Sequence, residues 1–150
     1  MKKLKVLVIG GGGYIGSKLI MELINNEFNV KCFDRFSSSE TLSKLNKNVE
    51  IAIGDIRNIE SKNFFEINTV IDLAALTKDL DGKEKEIIEI NKNARKKIIE
   101  ISKTNGVSHY IRISSSNVYA GNKNENSEKI IPNPQTLYAK INLELDNYAV

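Results

Sequence analysis

The chain alternates between short unbroken apolar runs and longer stretches in which apolar residues recur every three or four positions. The first run, Val6 to Ile9, ends at four consecutive glycines. A run that short and continuous suits a strand buried on both faces of a parallel sheet. Similar runs predict strands at 4–9, 29–33, 49–53, 69–73 and 108–113. Between them Tyr14–Ile24 is amphipathic, and Ile87, Ile90, Ala94, Ile98 and Ile101 mark one face of a long helix. Gly106 stands where a C-terminal glycine cap belongs. Helices are predicted at 14–25, 83–104 and 135–149, with short ones near 39–45 and 58–64. Strand and helix alternating at this spacing predict an α/β fold, a doubly wound parallel sheet with helices on both faces. Such sheets bind ligands at the carboxyl ends of their strands.

The first strand-to-helix junction carries candidate chemistry. Gly11, Gly13 and Gly16 satisfy G-x-G-x-x-G, and Gly10, Gly13 and Gly16 satisfy G-x-x-G-x-x-G. Any tight turn enriches glycine, so the pattern alone says little. Here it ends at a helix N-terminus, whose free N–H groups and dipole favour an anion. The second strand ends at Asp34, 21 residues after Gly13, the spacing at which a carboxylate meets a ribose diol. The bland reading of Asp34 is a solvated turn residue. Together these features predict dinucleotide binding, with Gly13 against a pyrophosphate and Gly16 packed on the strand. A carboxylate at 34 repels a 2′-phosphate, which favours NAD over NADP. Arg35 pulls the other way, because a guanidinium accommodates that phosphate.

Composition narrows the class. The 150 residues are 41% hydrophobic and 27% charged, with net charge +3, pI near 8.9 and mean hydropathy −0.29. That length suits one domain. Lysines are dispersed among glutamates, which argues against nucleic acid as a partner. No stretch approaches a membrane span, and the N-terminus makes a poor signal peptide, so a cytoplasmic protein is expected. Cys32 is the single cysteine and His109 the single histidine, so neither a disulfide nor a metal cluster is expected. Cys32 reads as core, and His109 as structural. The polar stretch from Gly121 to Pro134 reads as a lid or binding loop.

The later strands end in Gly54-Asp55-Ile56-Arg57, Leu73-Ala74-Ala75 and Ile113-Ser114-Ser115-Ser116-Asn117-Val118-Tyr119. Singly these read as a helix cap, packing alanines and a serine turn. All fall on the edge that carries the glycine turn. With GGGGYIGS at 10–17, FDR at 33–35, GDIRN at 54–58, DLAA at 72–75, Asn91, GVSHYIRISSSNVYA at 106–120 and NPQTLYAK at 133–140, the chain resembles the extended short-chain dehydrogenase/reductases, or NAD-dependent epimerase/dehydratases. The resemblance implies a Rossmann-type sheet and a nucleotide-sugar substrate. It implies cofactor contacts from Gly10, Gly13, Tyr14, Ile15 and Gly16 around the pyrophosphate and from Asp34 and Arg35 around the adenosine ribose. Asp55 and Ile56 would lie by the adenine, and Ala74 and Ala75 along the path to the nicotinamide. Asn91 matches a mainly structural position.

The same resemblance makes Ser115 the holder of the sugar oxygen and Tyr138 the general acid/base. Ser116 and Asn117 stand where the 4,6-dehydratase branch carries an acidic pair, which disfavours that branch. The family pairs its tyrosine with a lysine four residues on, on one helix face. Position 142 is Asn, which can offer a ribose hydroxyl a hydrogen bond but no charge. A second register makes Lys140 the lysine but leaves Thr136 in place of the tyrosine. Turnover is therefore expected to be depressed by several orders of magnitude. Family members are about twice as long, so residues 1–150 are expected to be the NAD(P)-binding domain without the substrate-binding lobe. A homodimer through helices 83–104 and 135–149 is implied. The alternative expectation is a non-catalytic dinucleotide sensor or scaffold, or an inactive remnant.

Overall fold

The computed structural model describes residues 3–36, 49–77, 82–121 and 129–149. Among these residues five parallel strands form one sheet in the order β3-β2-β1-β4-β5. They are β1 (Lys5–Ile9), β2 (Asn29–Asp34), β3 (Glu50–Ile53), β4 (Thr69–Asp72) and β5 (His109–Arg112). Each lies within two residues of its predicted bounds. Strand order reverses between β1 and β4, which opens a crevice at their carboxyl ends.

Alternation along β1 divides the core. Val6 and Val8 join Val30, Cys32 and Ile20, from α1 (Tyr14–Asn25), on one face. Leu7 and Ile9 join Phe33, Val70, Ile90, Ala94 and Ile98 on the other. Both faces of the sheet are thus covered, which is why Val6–Ile9 contains no polar position. Cys32 is fully buried, as expected, and burial pushes its thiol up to about 12.

The long helix runs over 84–104, and the sequence pattern missed a feature inside it. An α-helical segment α2 (Glu84–Ile88) passes into a π-helical turn (Glu89–Ala94) and then α3 (Arg95–Thr104). Such turns recur at functional sites. α4 (Leu137–Tyr148) packs beside it through Ile141, Leu145 and Ile87. The short helix expected near 58–64 is instead two 3₁₀ turns, Ile56–Asn58 and Ser61–Phe64. The one expected at 39–45, and residues 122–128 of the polar stretch, lie outside the described residues.

Candidate cofactor site

Gly10 takes the left-handed conformation at φ 80°, and a Cβ there would lie 2.7 Å from the Ala74 nitrogen. Glycine alone therefore lets the turn after β1 rest against the turn after β4. Gly16 has no room for a Cβ against the Gly10 carbonyl, so α1 starts close under the turn. Gly13 is the N-cap of α1 and offers no capping side chain, and the first turn contains no acidic residue. The Gly13 N–H bonds the Gly10 carbonyl at 3.1 Å, and the first-turn N–H groups that follow it suit an external anion.

Asp34 closes one side. Its Oδ2 accepts the Gly12 N–H at 3.0 Å and its Oδ1 the Phe36 N–H at 2.8 Å. Each carboxylate oxygen keeps a second lone pair, so the group is oriented in advance and can still accept a diol. Asp55 both caps the following 3₁₀ turn, through the Arg57 N–H, and faces the same cleft. Arg57 Nε and Nη2 grip Asp55 at 2.9 and 2.6 Å, and Arg35 Nη1 stands 3.8 Å away. This fork holds the Asp55 carboxyl down at about 2.

The resulting cleft has a volume of about 180 Å³, and Gly10, Gly13, Asp34, Arg35, Asp55, Ile56, Ala74 and Ala75 line it. Eight residues singled out from sequence thus meet at one place. Gly54 and Leu73, from the strand-end clusters, complete the lining with Leu76 and Ile90, which were not anticipated there. Tyr14 and Ile15 are largely exposed at the start of α1, outside the cleft wall, and Gly16 is buried beneath it.

The wall after β4 has its own supports. Asn91, buried in the π turn, accepts the Leu76 N–H and donates to the Leu76 carbonyl, both at 2.8 Å. Asp72 is fully buried and meets Arg95 Nε at 2.8 Å and the Tyr110 hydroxyl at 2.9 Å. Burial and the Asp72 charge drive the Tyr110 phenol well above its ordinary range. This group was missed, although the sequence carried a signal: a carboxylate interrupting an apolar run, and an arginine on the apolar side of a helix.

Ser115, Tyr138 and Asn142 lie outside the cleft lining. Ser115 caps the 3₁₀ turn Ser116–Tyr119 by accepting the Asn117 N–H, and α4 packs against that turn. Tyr138 is half-buried in the first turn of α4. Asn142 differs from expectation. It is 1% exposed, with its Oδ1 on Arg112 Nη1 at 2.8 Å and its Nδ2 on the Tyr138 carbonyl at 2.9 Å. Its amide is turned inward, because β5 ends in an arginine that faces it. His109 is exposed at the start of β5, away from the cleft. No cluster of three or more His, Cys, Asp or Glu is placed to hold a metal among the described residues, and no helix there is long and apolar enough to cross a membrane.

Two pea (Pisum sativum) proteins, a bifunctional UDP-glucose 4-epimerase and UDP-xylose 4-epimerase 1 and a UDP-glucose 4-epimerase, are 41% and 39% identical over an alignment of 64 residues that covers 36% of this chain and 18% of each of them. The structure of MoeE5 in complex with UDP-glucuronic acid and NAD superposes with a TM-score of 0.86 at 30% identity, over 97% of this chain and 48% of that one. UDP-glucuronic acid 4-epimerase from Bacillus cereus, in complex with UDP-glucuronic acid and NAD, gives 0.87 at 26% identity, over 96% of this chain and 50% of that one. The chain spans about half the length of these solved relatives. The model of the NAD-dependent epimerase/dehydratase family matches residues 6–150, and the chain belongs to that family.

Proposed function

We propose that residues 1–150 are the NAD-binding portion of a nucleotide-sugar epimerase/dehydratase-type oxidoreductase. The observation that carries this reading is the convergence of Gly10, Gly13, Asp34, Asp55 and Ala74 on one cleft at the strand-order reversal. The residues fit a dinucleotide. The Gly10–Gly13 turn leaves backbone, not side chain, facing a pyrophosphate, and Asp34 has acceptor capacity for the adenosine ribose. Tyr14, Ile15 and Gly16 would contribute first-turn N–H groups, Asp55 and Ile56 would border the adenine, and Ala74 and Ala75 would border the path to the nicotinamide. Asp34 favours NAD over NADP. Bound NAD would supply reversible hydride acceptance at a sugar carbon.

In the complete enzyme Tyr138 would take the hydroxyl proton and Ser115 would hold the reacting oxygen. UDP-sugars, present in the solved relatives, are the substrate class this implies. A second reading, a non-catalytic dinucleotide-binding module, is favoured by Asn142. Its amide is buried between Arg112 and the Tyr138 carbonyl, so position 142 brings Tyr138 no cation. Pairing of two copies through the long helix and α4 belongs to the proposal too. Among the described residues, Tyr148 is the one large apolar side chain exposed there. The location is proposed to be cytoplasmic.

Incubation with NAD and UDP-glucose or UDP-glucuronic acid distinguishes the two readings. Conversion of the sugar nucleotide to its epimer, read by NMR after long incubation at high protein concentration, supports the enzyme reading, because reversible hydride transfer leaves no net reduced cofactor. Saturable NAD binding without any conversion of the sugar supports the module.

A further inference from the structure

We propose that Asp72, Arg95 and Tyr110 are positioning residues for the cofactor cleft, setting the turn after β4 against the glycine turn. This deepens the NAD-binding reading and rests on it. Asp72 ends β4, and each of its carboxylate oxygens has a task. Its Oδ2 receives Arg95 Nε and the Tyr110 hydroxyl, while its Oδ1 accepts the Ala74 N–H at 3.2 Å. Arg95 Nη2 also reaches the Asp72 carbonyl at 3.4 Å, so the strand end is held by both backbone and side chain. The pair is essentially closed to solvent, Asp72 at 0% and Arg95 at 1% exposure.

A buried ion pair contributes little net stability over well-packed apolar residues, so its effect lies in what it orients. What it orients is Ala74. The Ala74 nitrogen and Cα lie 2.7 and 3.0 Å from the position a Gly10 Cβ would occupy. A shift of Ala74 is therefore felt directly at the glycine turn. Four residues before Arg95, on the same side of the long helix, Asn91 fixes Leu76 through both its backbone groups. Both ends of the turn are thus tied to one helix across the π turn. The opposite wall is tied differently, Asp34 by Gly12 and Phe36, and Asp55 by Arg57. Perturbing the buried trio should loosen one wall and spare the other.

The test compares NAD with AMP, which lacks the nicotinamide half that the Ala74 wall would border, in the parent chain, Tyr110→Phe and Asp72→Asn. Tyr110→Phe removes one hydrogen bond without opening a cavity, so it remains informative if Asp72→Asn does not fold. The Kd for NAD is expected to rise about fivefold in Tyr110→Phe, the equivalent of one hydrogen bond, and further in Asp72→Asn. The Kd for AMP should change by less than about twofold. In the cofactor-free protein, amide exchange at Ala74 and Leu76 should accelerate in both variants while the β1 amides keep their protection. Equal losses for NAD and AMP, or unchanged NAD affinity with unchanged exchange at Ala74, would overturn the proposal. If the parent chain binds no NAD, the cofactor reading fails by itself, and exchange at Ala74 still decides whether the trio holds the turn.

Discussion

Arg112, the last residue of β5, is bonded twice to Asn142 on α4: Nη1 donates to the side-chain oxygen at 2.8 Å and Nη2 to the backbone carbonyl at 3.1 Å. The same guanidinium is ion-paired with Asp146, whose other oxygen accepts the Ser114 hydroxyl at 2.6 Å. With its side chain only 4% exposed, Arg112 is a cation packed against the helix that presents Tyr138, and its charge is met by Asp146.

Lysine at position 142 is therefore not an isolated repair. Asn142→Lys removes an acceptor from Arg112 and brings a second cation beside it. We predict a loss of about 1–3 kcal/mol in urea denaturation, the cost of an unsatisfied buried polar group. Combining it with Arg112→Met should recover part of that loss, giving a non-additive double-mutant cycle. Additive losses would mean that the two side chains are not coupled.

Gly10→Ala should be among the costliest small substitutions in the chain. It places a Cβ in the left-handed region, at φ 80°, with Ala74 backbone 2.7 Å away. The conformational penalty alone is about 1–2 kcal/mol, and overpacking against backbone adds to it. Thermal and urea denaturation should show a loss of at least about 2 kcal/mol. A variant as stable as the parent would contradict the close approach of the two turns.

We propose that Asp34 sets the cofactor preference. Asp34→Asn keeps the shape and one acceptor but loses the charge, so NAD should bind about tenfold more weakly while discrimination against NADP shrinks. Arg35, 61% exposed and leaning toward Asp55, is available to a 2′-phosphate once the carboxylate is neutral. Competition titrations of the two cofactors read the ratio directly. An unchanged ratio would remove Asp34 from the ribose site.

Acid stability follows from three carboxylates whose ion pairs lower their pKa values. Arg57 holds Asp55 at about 2, Lys5 and then Lys31 lower Glu50, and Lys92 and then Lys96 lower Glu144. A carboxylate whose folded value lies below its unfolded value of about 4 stabilises the fold fully above that pH. That stability is lost as pH falls toward about 2. Unfolding free energy should thus decline through this window, and Arg57→Gln should move the Asp55 part of the decline upward in pH. Carboxyl NMR titration of Asp55 in both proteins checks the sign.

The strands and the glycine turn were legible because their causes are local. Val6–Ile9 must be apolar on both faces, and the turn after it must lack side chains where Ala74 and the start of α1 approach. Asp34 was legible from spacing. The Asp72–Arg95 pair was not, because 23 residues separate partners that only the β4–α3 packing brings together. The π turn escaped for another reason. One widened turn leaves the apolar spacing of Ile87, Ile90, Ala94 and Ile98 almost unchanged. Asn142 was read as a cofactor contact because its spacing from Tyr138 is local, whereas the residue that turns it inward lies 30 positions earlier.

Isothermal titration of the unmodified 150-residue chain with NAD, with NADP as comparison, tests the central claim most directly. The account predicts saturable binding of NAD with about one site per chain and weaker binding of NADP. A folded chain that binds neither would contradict the assignment of the Gly10–Gly16 turn and Asp34 to a cofactor site.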